Sequence, residues 1–508
     1  MTFFSGRTRT MAGISVLAVA IAVGGAATAA IAVSTAWSTP ADLSASGYSA
    51  SDPQVTVDGS GRATAVWERS DGTNDIVQAS TSLNGGLWST PADLSATGKA
   101  AYTPQVTVDG SGRATAVWQG SDGSNAIVQA STSLNGGTWS TPANLSAAGE
   151  DAFDPQVTVD GSGLATAVWF RWDSANSIYI VQASTSRNGG TWSTPADLSD
   201  PGRTATAPQV TVDGSGLATA VWDRYDGSNT IVQAKTSQNG GLWSTVANLS
   251  ANGENAAEPQ VTVDGSGLAT AVWRRQDSSN NNNIVQASTS QNGRPWSTPA
   301  DLSDPGYSAT APQVTVDGSG LATAVWYRNF IVQAKSSQSG AAWSAVADLS
   351  DRAQYAGLPQ VTVDGSGLAT AVWMRIDRSS FKGTVQTSTS QSGAAWSAVT
   401  DLSDPAQNAG SPQVTVNGSG FATAVWMRSV GSNAIVQASY FDNRVPITPP
   451  VTPPALAATG VDTTPVALTS IFALLAMFAG IGMIRIRRTQ ATPTMVTSSQ
   501  QRQRRRNH

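Results

Sequence analysis

The sequence predicts an all-β fold: an eight-bladed β-propeller of four-stranded blades, closed by its N-terminal strand. Three observations predict it. A block of roughly fifty residues recurs eight times, and each block reads as four short strands. The array also opens with a spare fourth strand and ends one strand short.

The repeat is marked by Pro-Gln-Val-Thr-Val, which begins at Pro53, Pro104, Pro155, Pro208, Pro259, Pro312, Pro359 and Pro412, at spacings of 51, 51, 53, 51, 53, 47 and 53. Each copy continues through a Gly-Ser-Gly turn to Ala-Thr-Ala-Val-Trp, usually then Ile-Val-Gln-Ala, and in most copies ends at Trp-Ser. Two Trp per copy account for 16 of the 17, and Trp172 is the extra one.

In the first copy Val55 and Val57 alternate with Gln54, Thr56 and Asp58, the two-residue period of a strand with unlike faces. Asp58-Gly59-Ser60-Gly61 is a turn that folds the chain back into a second strand at 63–67. Residues 76–80 read as a third strand, Asn84-Gly85-Gly86 as the next turn, and 88–94 as a fourth strand. No helical period of useful length interrupts them. The spare strand at 37–43 and the final third strand at 435–440 would pair to complete the eighth blade. A linear array would instead leave unpaired edges.

The turn before the second Trp carries a resemblance. Ser82-Leu83-Asn84-Gly85-Gly86-Leu87-Trp88 and its copies look like the Asp-box of sialidase-type propellers, with Asn or Ser in place of Asp and the Trp one residue early. The resemblance implies the propeller fold, in which such boxes are structural.

The chain of 508 residues has no Cys, and its one His is His508. Disulfides, thiolate chemistry and histidine-based catalysis or metal ligation in the body are thereby excluded. The turn residues Asp58, Asp109, Asp160, Asp213, Asp264, Asp317 and Asp364 (Asn417 in the last copy) give too few oxygens for calcium and are expected to stabilise hairpins. No cofactor and no metal is implied.

Both ends carry targeting features. Residues 1–29 read as a signal peptide: Arg7 and Arg9 precede an apolar run at 11–23, followed by Ala27-Thr28-Ala29. The propeller is expected over 34–443 and a Pro-rich linker over 444–455. Leu456-Ala457-Ala458-Thr459-Gly460 comes next, then a charge-free stretch at 466–484 of about 29 Å as a helix, and a basic tail at 485–508. This order resembles the Leu-Ala-x-Thr-Gly cell-wall sorting signals of Gram-positive, actinobacterial type. It implies cleavage after Thr459 and a sortase and peptidoglycan as partners, with a permanent transmembrane anchor in the membrane as the alternative. Either way the repeats face outward. Between the two ends 20 Lys and Arg stand against 33 Asp and Glu, near −13, which argues against nucleic acid as a partner.

Trp-x-Arg recurs as Trp67/Arg69, Trp169/Arg171, Trp222/Arg224, Trp273/Arg275, Trp326/Arg328, Trp373/Arg375 and Trp426/Arg428, with Gly120 after Trp118 in the second copy. A spacing of two puts both side chains on one strand face, an aromatic plate beside a fork of donors. These residues are the expected ligand site, for glycans or cell-surface glycoproteins; the competing expectation is that the Trp are inter-blade core. The loop that follows varies most, at 71–75, 172–179 and 276–283, with almost nothing after Arg328.

A sialidase would need an arginine triad, a Tyr–Glu pair and an acidic Asp. The chain has only Glu68, Glu150, Glu254 and Glu258, none in a recognisable motif. The expectation is therefore a surface-anchored, non-enzymatic adhesin or lectin with no catalytic residues. A sialidase-like glycoside hydrolase and a structural surface coat are the alternatives.

Overall fold

The structure, a computed structural model, describes residues 36–443 apart from 252. Thirty-two strands pair antiparallel into eight four-stranded sheets, and the chain is an eight-bladed β-propeller. In blade 1 the strands are Ala50–Val57, Arg62–Ser70, Asp75–Leu83 and Ala92–Asp93. First strands of neighbouring blades lie side by side around the ring, so they line the axis and the short fourth strands form the rim.

The spare strand shuts the ring. Ala41–Asp42 pairs with Asn433–Asp442, placing Ala41 opposite Ala438 and Asp42 opposite Gln437. Fourth strands are shorter than the expected 88–94, and serine is the reason. Ser89 Oγ accepts from Thr81 N (3.1 Å) and Ser95 Oγ accepts from Val77 N (3.0 Å), so hydroxyls stand where backbone carbonyls would continue the ladder.

The core consists of eight inter-blade seams. Between blades 1 and 2, Val66, Val77, Ala79 and Leu94 meet Ala101, Ala116 and Trp118, and equivalent clusters fill the other seven. The small Ala residues leave room for the indole, which fills each seam from the following blade.

Turn chemistry shapes one face of the ring. Asp58 Oδ1 accepts from Ser60 N, Ser60 Oγ and Arg62 N at 2.9, 2.6 and 2.8 Å. Asn417 accepts the same set in blade 8 and uses its amide to reach across the closure, donating to the Asp58 carbonyl at 2.9 Å. The other face carries the loops between second and third strands together with the blade-to-blade connections.

The signal peptide at 1–29, the linker, the sorting motif at 456–460, the span at 466–484 and the tail at 485–508 lie outside the described residues. Among the described residues no helix is long and apolar enough to cross a membrane.

Candidate functional site

The expected Trp-x-Arg site is not an open sugar platform. Trp67, Trp169, Trp222, Trp273, Trp326, Trp373 and Trp426 are all 0% exposed, wedged in the seams. No ligand can stack on an indole packed on both sides, so these residues are corrected to core. Several donate Nε1–H to a third-strand glutamine, as Trp169 does to Gln182 Oε1 at 3.2 Å.

The arginines of the motif brace the connections on the loop face. Arg171 pairs with Glu150 and Arg275 with Glu254, while Arg224 lies 3.4 Å from Asp200, Arg328 3.9 Å from Asp304 and Arg428 3.3 Å from Asp42. Arg69 lies over the Tyr48 ring at 5.6 Å, and Arg375 donates to Thr384 Oγ1 at 3.1 Å. They converge on no common point, and no arginine triad forms from them.

What breaks the eight-fold symmetry is the residue between Trp and Arg, together with the residue before each Pro-Gln-Val-Thr-Val. The first column reads Glu68, Gln119, Phe170, Asp223, Arg274, Tyr327, Met374 and Met427; the second reads Asp52, Thr103, Asp154, Ala207, Glu258, Ala311, Leu358 and Ser411. Every member of the second column sits in a β-bulge of the axial strand with φ between 48° and 59°, on the loop side of the channel. Eight such left-handed positions, each followed by Pro, are a costly backbone feature held in place by the ring.

At two blades a carboxylate from the first column reaches a bulge N–H of the following blade. Glu68 Oε1 accepts from Thr103 N at 2.6 Å, and Asp223 Oδ2 is 3.5 Å from Glu258 N. Glu258 then bridges onward, accepting from Arg274 Nε at 2.8 Å and from Ala311 N at 3.0 Å. Asp223, Glu258, Arg274 and Ala311 thus form one chain of contacts across blades 4, 5 and 6.

The electrostatics of this chain are uneven. Asp223 is 9% exposed, and its Oδ1 is buried without a hydrogen-bond partner. Burial pushes its carboxyl up to about 8, with the Glu258 charge adding to the rise and the Glu258 N–H and Arg274 opposing it. Glu258 lies closer to solvent and is ion-paired with Arg274. The site therefore sets a carboxyl with a raised pKa beside one that is ion-paired with arginine. Glu68 is also raised, chiefly by burial, but both its oxygens are partnered, by Ser51 and Thr103. Among the described residues no cluster of three or more acidic side chains is placed to hold a metal ion.

Sequence reasoning named none of these residues as a site. The signal was available as variation: within near-identical copies, the columns at Asp223 and Glu258 change chemistry from blade to blade, whereas the Trp column never does.

No family model and no curated protein matches the chain. It is similar in fold to solved structures at low identity. The polysaccharide lyase Uly1 is 10% identical over 66% of this chain and 89% of that one, with a TM-score of 0.45. The α-L-arabinanase of Penicillium chrysogenum is 12% identical over 80% and 98%, with a TM-score of 0.36. A subtype N10 neuraminidase-like protein of A/little yellow-shouldered bat/Guatemala/060/2010 is 10% identical over 57% and 94%, with a TM-score of 0.37. The expectation of a non-enzymatic protein is corrected here. The structures it is similar to carry for the most part the names of enzymes, further glycoside hydrolases among them.

Proposed function

We propose that the protein is a carbohydrate-active propeller that cleaves glycosidic bonds at the loop-face mouth of its channel. The observation that carries this reading is the Asp223–Glu258 pair: one carboxyl whose pKa burial raises, the other ion-paired with Arg274. Glycosidic cleavage needs an acid to protonate the leaving oxygen and a carboxylate to supply negative charge or activate water, and environments that separate two carboxyls in this way provide both. Asp223 is the proton donor. Glu258 is the charged partner, and Arg274 positions it. The Arg274 side chain alone supplies no arginine triad, so a neutral sugar suits the site better than a sialic acid.

The ends of the sequence support an exported protein displayed at the cell envelope, held through Thr459 by a sortase or by the apolar span at 466–484, which makes extracellular glycans the substrates within reach. The test is release of reducing ends from arabinan, xylan, chitin fragments and sialyllactose as a function of pH. The reading expects release from at least one neutral polymer, with a rate that falls above about pH 8 as Asp223 ionises. Folded protein that releases nothing from any of them would overturn it.

A further inference from the structure

Blades 6 and 7 carry a second departure from symmetry on the same face. In six blades the loop between second and third strands places Gly72, Gly123, Ser177, Gly227, Asn281 or Gly431 in the left-handed region, five of them glycine or asparagine, which suit it. In blades 6 and 7 that position holds Phe330 (φ 68°) and Phe381 (φ 55°). A bulky side chain is disfavoured there, and Phe330 is strained further because it occupies the second place of a two-residue turn, where glycine is the usual choice.

Core packing does not repay this strain. Phe330 is 45% exposed and Phe381 75%, and Leu358 and Tyr307 nearby are 49% and 56% exposed. Phe330 instead leans on Tyr355 of the next blade, ring centroids 4.4 Å apart, while Arg378 lies 4.3 Å over the Tyr355 ring. Together with Tyr327, Leu358, Met374 and Ile376 these rings wall a cleft of about 330 Å³. Beside Tyr355, Gln354 lines a polar hollow with Asp351 and Arg375, and its buried Oε1 has no partner.

The cleft and the carboxyl site meet at one residue. Ala311, whose N–H donates to Glu258 Oε2 at 3.0 Å, also lines the cleft. A chain lying across Glu258 would therefore run next over Ala311 and onto the Phe330 and Tyr355 rings. A sugar polymer suits that path, since a pyranose offers an apolar face to stack and a rim of hydroxyls for neighbouring polar groups.

We propose that the cleft between blades 6 and 7 is a sugar-binding subsite, in which Phe330, backed by Tyr355, stacks a ring of the same glycan whose bond lies at Asp223 and Glu258. The proposal rests on the glycosidase reading and deepens it, assigning the enzyme to polymers rather than to disaccharides. Binding energy gained at the cleft holds the chain without entering the reaction at the mouth.

The test is Phe330→Gly in the full-length protein, assayed on xylohexaose, arabinohexaose and chitohexaose and on the matching disaccharides. The expected result is a KM for the cleaved hexasaccharide raised about tenfold with kcat little changed, as loss of one stacked ring implies. Disaccharide kinetics stay as they were, and the melting temperature is unchanged or higher because glycine relieves the turn. Direct binding of the hexasaccharides to Asp223→Asn, with and without Phe330→Gly, separates the two readings. Binding that Phe330→Gly weakens supports the subsite even where the wild type turns nothing over. Unchanged hexasaccharide binding and KM in Phe330→Gly would overturn it, as would absence of binding to the parent protein.

Discussion

Asp42 and Gln437 stand 395 residues apart in the chain and are bonded directly, Gln437 Nε2 donating to Asp42 Oδ1 at 2.7 Å. The same link joins third and fourth strands inside other blades, as in Gln78 with Asp93 and Gln182 with Asp197. Ring closure therefore reuses a contact that each blade already makes. Gln437 also accepts from Trp426 Nε1 at 3.2 Å, so one side chain connects the buried indole to the closing strand.

Gln437→Ala removes both bonds at once and leaves a buried indole N–H unpaired. Losing a hydrogen bond to a charged group and orphaning a buried donor together cost about 2–4 kcal/mol. Denaturant unfolding should show that loss, and it should exceed the loss for the equivalent Gln182→Ala, which breaks the same two bonds inside one blade, because Gln437 also ties the two chain ends.

The repeated tryptophans are core, so Trp273→Ala should cost about 3–5 kcal/mol through the cavity it opens in the seam between blades 4 and 5. Glycan affinity of the folded fraction should not change. A selective loss of binding with stability intact would return these indoles to the ligand site.

Much of the fold was legible because the repeat makes each weak local signal count eight times. Val55 and Val57, the Asp58-Gly59-Ser60-Gly61 turn and the spare strand at 37–43 were sufficient for blade, hairpin and closure. The reach of the fourth strand was not legible, since nothing local tells that Ser89 and Ser95 hydroxyls will substitute for ladder carbonyls. The site was hidden for the opposite reason. A reading drawn to what repeats weights Trp67 and Arg69, whereas chemistry requires a place where the repeat fails. Burial of Asp223 and its approach to Glu258 depend on a bulge in the next blade, a relation between residues 35 apart that no strand period encodes.

Asp223 also gives stability a pH dependence. Its carboxyl titrates near 8 when folded and near 3.8 when unfolded, so between those values the folded state holds a proton that the unfolded chain has lost. Stability therefore falls as pH rises through that window, by up to about 1.4 kcal/mol per unit, and levels off above it. Asp223→Asn removes the slope. The melting temperature of the variant should match the wild type near pH 4 and exceed it increasingly toward pH 8.

The turn aspartates bind backbone and serine, and Asp264→Ala should cost about 2–3 kcal/mol by releasing the three donors it accepts from Ser266 and Leu268. The melting temperature should be indifferent to calcium or to a chelator. A calcium-dependent rise would show that these carboxylates hold an ion.

The most direct test of the account is kcat on whichever polymer the protein cleaves, compared among wild type, Asp223→Asn and Glu258→Gln, each first shown by circular dichroism and melting to be folded. Turnover should fall by about 10²–10⁴ in Asp223→Asn, with the alkaline limb of the pH profile abolished, and comparably in Glu258→Gln. Undiminished turnover in both variants would contradict it and move the chemistry away from the mouth between blades 4 and 5.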